Sequence, residues 1–282
     1  MENDKQPDKK KKGPLSREDL RAVQLVQLEM LEEVDRICRL HHINYTMIGG
    51  TMLGAIRHKG YIPWDDDADI GLLRKEYEKF CKICETELDH DRFYFQDMRT
   101  TPGYRWGYGK IRRKNTYFLR EGQSHMPYES GIFIDIFPFD NVPDGKFAAK
   151  LHNLHCKIIR KILWSEVGKL TEKNLILRWI YKLINKIPLN YVANHLEHFS
   201  ESTNRRNYDR VRVITFPSPD EISEGRREWY EKTTIYKFEN LNLSGMNSAA
   251  IYLKHKYGDD YLSIPPESKR KSHPVSYYKL LD

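Results

Sequence analysis

Asp65, Asp66, Asp67 and Asp69 place four carboxylates within five residues, between Trp64 on one side and Ile70-Gly71-Leu72-Leu73 on the other. Four like charges so close in apolar flanks cannot all stay ionised in a half-buried setting without a cation. The second half of the stretch alternates as a strand does. Asp67 and Asp69 then project to one side, and Ala68 and Ile70 to the other. Two hard oxygen donors one residue apart can share a Mg²⁺, with Mn²⁺ an alternative, leaving positions for water and phosphate oxygens. A calcium loop is a weaker alternative, because Ile70 stands where that loop needs glycine and the segment from Gly60 to Pro63 breaks the preceding helix. A solvated acidic turn is the plain alternative.

Two other segments supply what phosphoryl transfer at such a centre would need. Gly49-Gly50-Thr51 follows the β-prone run Tyr45 to Ile48 and opens a short helix ending near Arg57. A turn of that kind lets backbone N–H groups approach a phosphate at a helix N-terminus. Asp135 lies within Ile132-Phe133-Ile134-Asp135-Ile136-Phe137, a strand closed by Pro138. A lone aspartate there is costly unless it meets a cation or a donor.

The rest of the chain reads as a mixed α/β fold. Ser16 with Asp19 caps a helix that runs to about Leu40. Arg74 to Leu88 reads as a helix, Phe93 to Phe95 as a strand, and Tyr104 to Leu119 as one or two strands bearing Lys110 and Arg112. Both cations are candidates for donor phosphates, or else ordinary charges on a solvent face. Arg57, His58 and Lys59, close to the acidic cluster in sequence, are candidates for substrate contact, or else a solvated helix end. Beyond Ala148 the pattern is helical to about Ser202, and a last helix spans Ala249 to Tyr257. Four parts follow: a disordered basic tail over 1–14, a catalytic core over 15–148, a basic helical segment over 149–205, and a C-terminal part over 206–282 that packs back on the core.

Charge and cysteine content narrow the classes further. The 282 residues carry 47 basic and 40 acidic side chains, a net of +7. Leu151 to Asn190 alone holds eight basic residues against Glu166 and Glu172. Ile158, Ile159, Ile162 and Leu163, then Ile176, Trp179, Ile180, Leu183 and Ile187, recur there at helical spacing. The expectation is two basic amphipathic helices that pack on the core, with docking on an anionic membrane through Trp164, Trp179 and the lysines as the alternative. Cys38, Cys81, Cys84 and Cys156 cannot make a disulfide framework, and Cys81-x-x-Cys84 lacks the partner pair a zinc site needs. No run approaches the ~18 apolar residues of a spanning helix, and no signal-peptide core follows the charged N-terminus. A cytoplasmic protein is expected, with peripheral contact at the inner membrane face as an option.

The residues from Gly49 through Gly54-Ala55-Ile56-Arg57-His58-Lys59-Gly60-Tyr61-Ile62-Pro63-Trp64 to Ile70 resemble the signature of the LicD phosphocholine transferase family, relatives of fukutin and fukutin-related protein. Lys110-Ile111-Arg112 with Thr116, Gly131 to Pro138, and Tyr257-Gly258-Asp259-Asp260-Tyr261 with Pro265-Pro266 and His273 agree with it. The resemblance implies a nucleotidyltransferase-like mixed sheet with flanking helices and an added helical segment. It also implies an Asp-x-Asp pair, Asp67 and Asp69, with Asp135 as third metal ligand and catalytic group. Gly49, Gly50, Thr51, Arg57, His58, Asp65, Asp66, Lys110 and Arg112 are then the substrate-binding candidates. Related sequences more often have Gly-Ser where this chain has Gly49-Gly50-Thr51.

By that resemblance the donor is CDP-choline or a similar nucleotide, and the acceptor is a hydroxyl of a cell-surface glycan or its lipid-linked precursor, of teichoic acid, lipopolysaccharide or capsule type. A metal-dependent glycosyltransferase also needs Asp-x-Asp, but usually after a longer nucleotide-binding unit than one helix. A nucleic-acid-binding module on an inactive core is the other alternative. Its RNA-binding motifs are missing from the sequence, so nucleic acid is not an expected partner.

Overall fold

The computed structural model describes residues 10–216 and 224–281. In chain order the first elements are β1 (Lys11–Lys12), α1 (Arg17–Leu40), β2 (Thr46–Met47), α2 (Gly49–Arg57), β3 (Asp69–Leu73), α3 (Arg74–Glu87), β4 (Phe93–Gln96), β5 (Gly109–Arg113), β6 (Tyr117–Arg120) and β7 (Phe133–Val142). Three helices follow: α4 (Lys146–Thr171), α5 (Leu175–Ile184) and α6 (Leu189–Asn204). The chain then returns through β8 (Arg210–Arg212), β9 (Glu224–Arg226), α7 (Arg227–Glu231), β10 (Thr233–Phe238), β11 (Leu241–Met246), α8 (Ala249–Tyr257) and β12 (Val275–Lys279).

The main sheet is mixed, with helices flanking it and the added segment α4 to α6 beside it. Its order is β10-β11-β2-β3-β7-β5-β4. The central pair β3 and β7 is parallel, with Asp69 opposite Asp135 and Gly71 opposite Phe137. β5 runs antiparallel on the far side of β7 and sets Lys110 opposite Asp135. Every residue of β7 is buried, as a strand covered on both faces and paired on both edges must be.

α1 begins where expected, with the Ser16 hydroxyl accepting the Asp19 N–H at 3.0 Å. Among its buried polar residues are two amides, Gln24 and Gln27. They donate to the carbonyls of Asp65 (2.8 Å) and Asp66 (2.9 Å), so α1 ties down the backbone of the acidic run.

Three expectations are corrected. β7 does not stop at Pro138 but continues to Val142. The Asp135 N–H points to β3, so by alternation the edge on which Pro138 lacks a donor faces away from β3. There it falls between the end of β5 pairing at Ile136 and the start of β8 pairing at Asp140, where no ladder bond is lost. Of the expected tail, residues 1–9 lie outside the described residues, but Lys11–Lys12 pair with β12 in a three-stranded sheet with β6. Lys11 is held by Asp19 at 2.7 Å, which a count of net charge does not register. Finally, the helical segment has three helices, and α5 buries none of its ten residues. The apolar stripe assigned to core packing is therefore exposed there. Trp164, conversely, packs inward on Trp106, with ring centroids 5.8 Å apart.

Candidate active site

The parallel ladder between β3 and β7 brings Asp69 and Asp135 side by side, on strands spaced about 4.8 Å apart. Asp67 lies two residues before Asp69, in the extended lead-in to β3, and Ala68 between them is fully buried on the opposite face. Asp67, Asp69 and Asp135 line one cleft of about 280 Å³ together with Lys110, Arg112, Arg120 and His273. Its other wall is aromatic, with Trp106, Tyr108, Phe137 and Phe216 on it. Arg160 and Trp164 of α4 complete that wall, the Arg160 guanidinium lying over the Trp164 and Phe216 rings at 5.0 and 4.7 Å. A larger cleft of about 500 Å³ between α3 and α6 has its arginines already paired, Arg74 with Asp140 and Arg99 with Asp97.

The acidic run splits by direction. Asp66 points inward and is fully buried, accepting from Arg120 on one oxygen and from the His273 backbone (3.0 Å) and Nδ1 (2.9 Å) on the other. Burial opposes its ionisation, yet the His273 hydrogen bond and the Arg120 charge prevail and hold its carboxyl below the ordinary range. His273 is raised in turn, first by that hydrogen bond. Asp66 therefore clamps the last strand's approach to the cleft. Asp65, Asp66, Asp67 and His273 also lie close enough to hold a metal as a group. However, the His273 nitrogen that would serve is a donor to the Asp66 carboxylate, and both Asp66 oxygens are taken.

Asp65, Asp69 and Asp135 behave in the opposite way. Asp65 is pushed up to about 8, by burial first and then by Asp67. Burial, Asp67 and Asp135 hold Asp69 well above the carboxylate range. Asp135 is raised by burial despite an ion pair with Lys110, and Lys110 is brought down to about 8 by the same burial. Both shifts have one cause, since a dry pair of charges is costlier than a neutral pair. Within the cleft Asp135 is paired with Lys110 and Asp67 lies 3.7 Å from Arg120, while the crowding leaves Asp69 the most reluctant to ionise. Asp67, Asp69 and Asp135 offer only hard oxygen donors, so the set fits a small divalent cation such as Mg²⁺.

The glycine turn makes this crowding sterically feasible. Gly49 has φ +56°, and a β-carbon there would stand 3.1 Å from Asp69 Oδ2. A β-carbon on Gly50 would stand 2.6 Å from Asp65 Oδ2. The N-terminus of α2 is therefore directed at two carboxylates, a favourable pairing with the helix dipole. The Gly49 N–H donates to the Tyr252 hydroxyl at 2.8 Å, and the Thr51 hydroxyl accepts the Asp69 N–H at 2.8 Å. These two groups, expected to cradle phosphate, are engaged in holding the acidic strand and α8.

The LicD/FKTN/FKRP nucleotidyltransferase domain matches residues 42–157, a span that holds the glycine turn, the acidic run, Lys110 and Asp135. Those residues carry a LicD-family domain. The lipopolysaccharide cholinephosphotransferase LicD of Haemophilus influenzae is 29% identical over 271 residues, covering 91% of this chain and 96% of that one. An uncharacterized protein of Rickettsia prowazekii is 39% identical over 120 residues, 42% of this chain and 41% of its own.

Set against the LicD resemblance, Asp67, Asp69, Asp135, Lys110 and Arg112 line the cleft, while Gly49, Gly50, Thr51, Asp65 and Asp66 surround the acidic strand without lining it and Arg57 and His58 face elsewhere. Arg112 lines the cleft, but its guanidinium donates to Gln96 (2.6 Å) and the Gly131 carbonyl (2.6 Å), so it also braces the strands beneath. Arg57 donates to the carbonyls of Tyr261 (3.1 Å) and Ser263 (3.0 Å), and His58 stands edge-on to Trp64. Arg57 secures the C-terminal turn, and neither residue lines the cleft. Lys256 lowers the cost of ionising Asp69 from α8, with its Nζ and the Tyr257 hydroxyl beside the Gly49 turn. Motif reading passed over Arg120, Arg160 and Lys256. An arginine and a lysine among apolar residues, far from the acidic run in sequence, carry no spacing signal.

Proposed function

We propose that this protein is a Mg²⁺-dependent phosphotransferase that moves phosphocholine from CDP-choline to a hydroxyl of a cell-surface glycan or its lipid-linked precursor. The observation that carries the reading is the convergence of Asp67, Asp69 and Asp135 with Lys110 and Arg120 in one cleft. The similarity to a lipopolysaccharide cholinephosphotransferase over nearly its whole length supports the transferred group.

Asp67, Asp69 and Asp135 would hold the cation. Once bound, Mg²⁺ supplies positive charge for the donor's pyrophosphate and a lowered pKa for the incoming hydroxyl. Lys110 and Arg120 would face phosphate oxygens as charged donors, Lys110 shared between Asp135 and the phosphate. Because both oxygens of Asp66 are committed to Arg120 and His273, Asp66 orients Arg120 and does not serve as the base. The aromatic wall suits a quaternary ammonium, since Trp164 and Phe216 already hold a guanidinium by the same attraction.

The test is incubation with Mg²⁺ and a panel of CDP-alcohols and nucleotide sugars, with released nucleotide identified by chromatography. CMP formed from CDP-choline with an acceptor glycan present supports the proposal. Release of UDP or GDP alone would replace it with a glycosyltransferase.

A further inference from the structure

The helices that flank the cleft present a surface no other part of the described chain covers. α5 exposes Leu175, Ile176, Trp179, Ile180 and Leu183, with Ile176 71% and Trp179 60% accessible. These recur at i, i+1, i+4, i+5 and i+8, one face of a helix. The opposite face is fixed on α4, where Tyr181 packs on Gly168 and Asn185 accepts from Ser165 at 3.0 Å. α4 repeats the design with Phe147, Leu151, Leu154 and Ile158 exposed at helical spacing, while Cys156, Ile159 and Leu163 turn inward.

Charge follows both stripes. Residues 146–190 contain ten Lys and Arg against two Glu, an excess larger than that of the entire chain. Lys146, Lys150, Lys161, Lys173, Lys182 and Lys186 are exposed among the apolar residues. Of the two acids, Glu166 is bound to Lys169 at 2.7 Å. A second copy pressing the same face against this one would oppose like charges across the contact. Single-stranded nucleic acid is read by stacked aromatic rings, and this face exposes mainly aliphatic side chains. What complements it is an apolar layer beneath negative headgroups.

We infer that α4 and α5 form a peripheral docking surface for an anionic phospholipid bilayer. No helix among the described residues is long and apolar enough to cross a membrane, so the helices lie on the bilayer and do not pass through it. α4 carries Arg160 and Trp164 in the wall of the cleft and Gly168, the seat of α5, about 6 Å beyond Trp164 along its axis. Docking would hold the cleft close to the headgroups. The inference stands independently of which alcohol phosphate is transferred.

Flotation of the full chain with vesicles tests it, using phosphatidylcholine alone and phosphatidylcholine with about 25% phosphatidylglycerol, at about 0.1 and 0.5 M salt. At least tenfold tighter binding to the anionic vesicles is expected, with a blue shift of tryptophan emission and loss of binding at high salt. The Ile176→Ser, Trp179→Ser double variant should lose binding at least tenfold while keeping its thermal midpoint. Ile251→Ser, an exposed apolar position on α8, should bind as the parent does. Absence of binding to anionic vesicles overturns the inference, and so does equal binding by the double variant. A dimer in gel filtration that the double substitution splits would also overturn it, in favour of a second copy as the occupant.

Discussion

Asp69 stands opposite Asp135 across the parallel β3–β7 ladder, so two crowded carboxyls compete for whatever positive charge the cleft offers. Lys110 pairs with Asp135, leaving Asp69 the more reluctant to ionise. Asparagine is close in shape to a protonated aspartate. Asp69→Asn should therefore keep or raise the thermal midpoint in the absence of added metal, while turnover falls by about 100-fold or more. Calorimetry and nucleotide release measured on one preparation check both halves. A variant with near-normal turnover would remove Asp69 from the catalytic set.

The two glycines make separable predictions. Gly50 has an ordinary helical backbone, and alanine there gains about 1 kcal/mol of helix preference. Its β-carbon nonetheless displaces the Asp65 carboxylate from 2.6 Å away. Gly50→Ala should change stability by no more than about 1 kcal/mol and reduce activity tenfold or more. Gly49→Ala adds the left-handed strain of φ +56° and should cost about 1–2 kcal/mol as well. Denaturant midpoints and initial rates distinguish the two, and loss of stability without loss of rate at Gly50 would refute the steric account.

The local part of this site was legible in the sequence because charge density and turn chemistry are local properties. Four aspartates in five residues, a double glycine before a helix and a lone aspartate in an apolar strand each violate a pattern unless they meet something. The convergence of Asp135 with Asp69 depends on strand order, and strand order is not a function of spacing. Arg120, Arg160 and Lys256 arrive from β6, α4 and α8, where nothing in their neighbours marks them. Gln24 and Gln27 did leave a signal, as amides inside an apolar stripe, but their partners were out of view. The α5 stripe was read correctly as amphipathic and wrongly as buried, because periodicity reports a face and not what covers it.

Away from the cleft, the fully buried Asp140 fastens three elements. It accepts from Arg74 Nε and Nη2 at 2.8 Å, the Ser200 hydroxyl at 2.6 Å and the Asn204 amide at 2.6 Å. Removing one partner of a buried pair leaves the other charge without compensation, at a cost of about 3–5 kcal/mol. Asp140→Ala should lower stability by that amount. The Arg74→Met, Asp140→Leu double variant should recover part of it, because no charge is then stranded. Urea unfolding of the three proteins measures the difference, and a double variant no better than Asp140→Ala would contradict it.

His152 sets the acid limit of the helical segment. It is buried on α4 with its ring 5.0 Å from that of Phe199 and Nδ1 3.6 Å from Cys156 Sγ, and Nε2 has no partner among the described residues. Burial, reinforced by the charge of Arg212, pushes the imidazole down to about 4. An unfolded histidine takes up its proton near pH 6.5, so between about 6.5 and 4 the unfolded chain binds the proton that the folded chain refuses. The stability this neutral ring contributes is intact above about pH 6.5 and is lost progressively as pH falls toward 4, on the order of 3 kcal/mol in all. His152→Leu should therefore lose less stability than the parent between pH 7 and pH 4.5, whatever their difference at neutral pH. Urea midpoints across that range decide it, since equal losses in both proteins would assign the acid sensitivity to other groups.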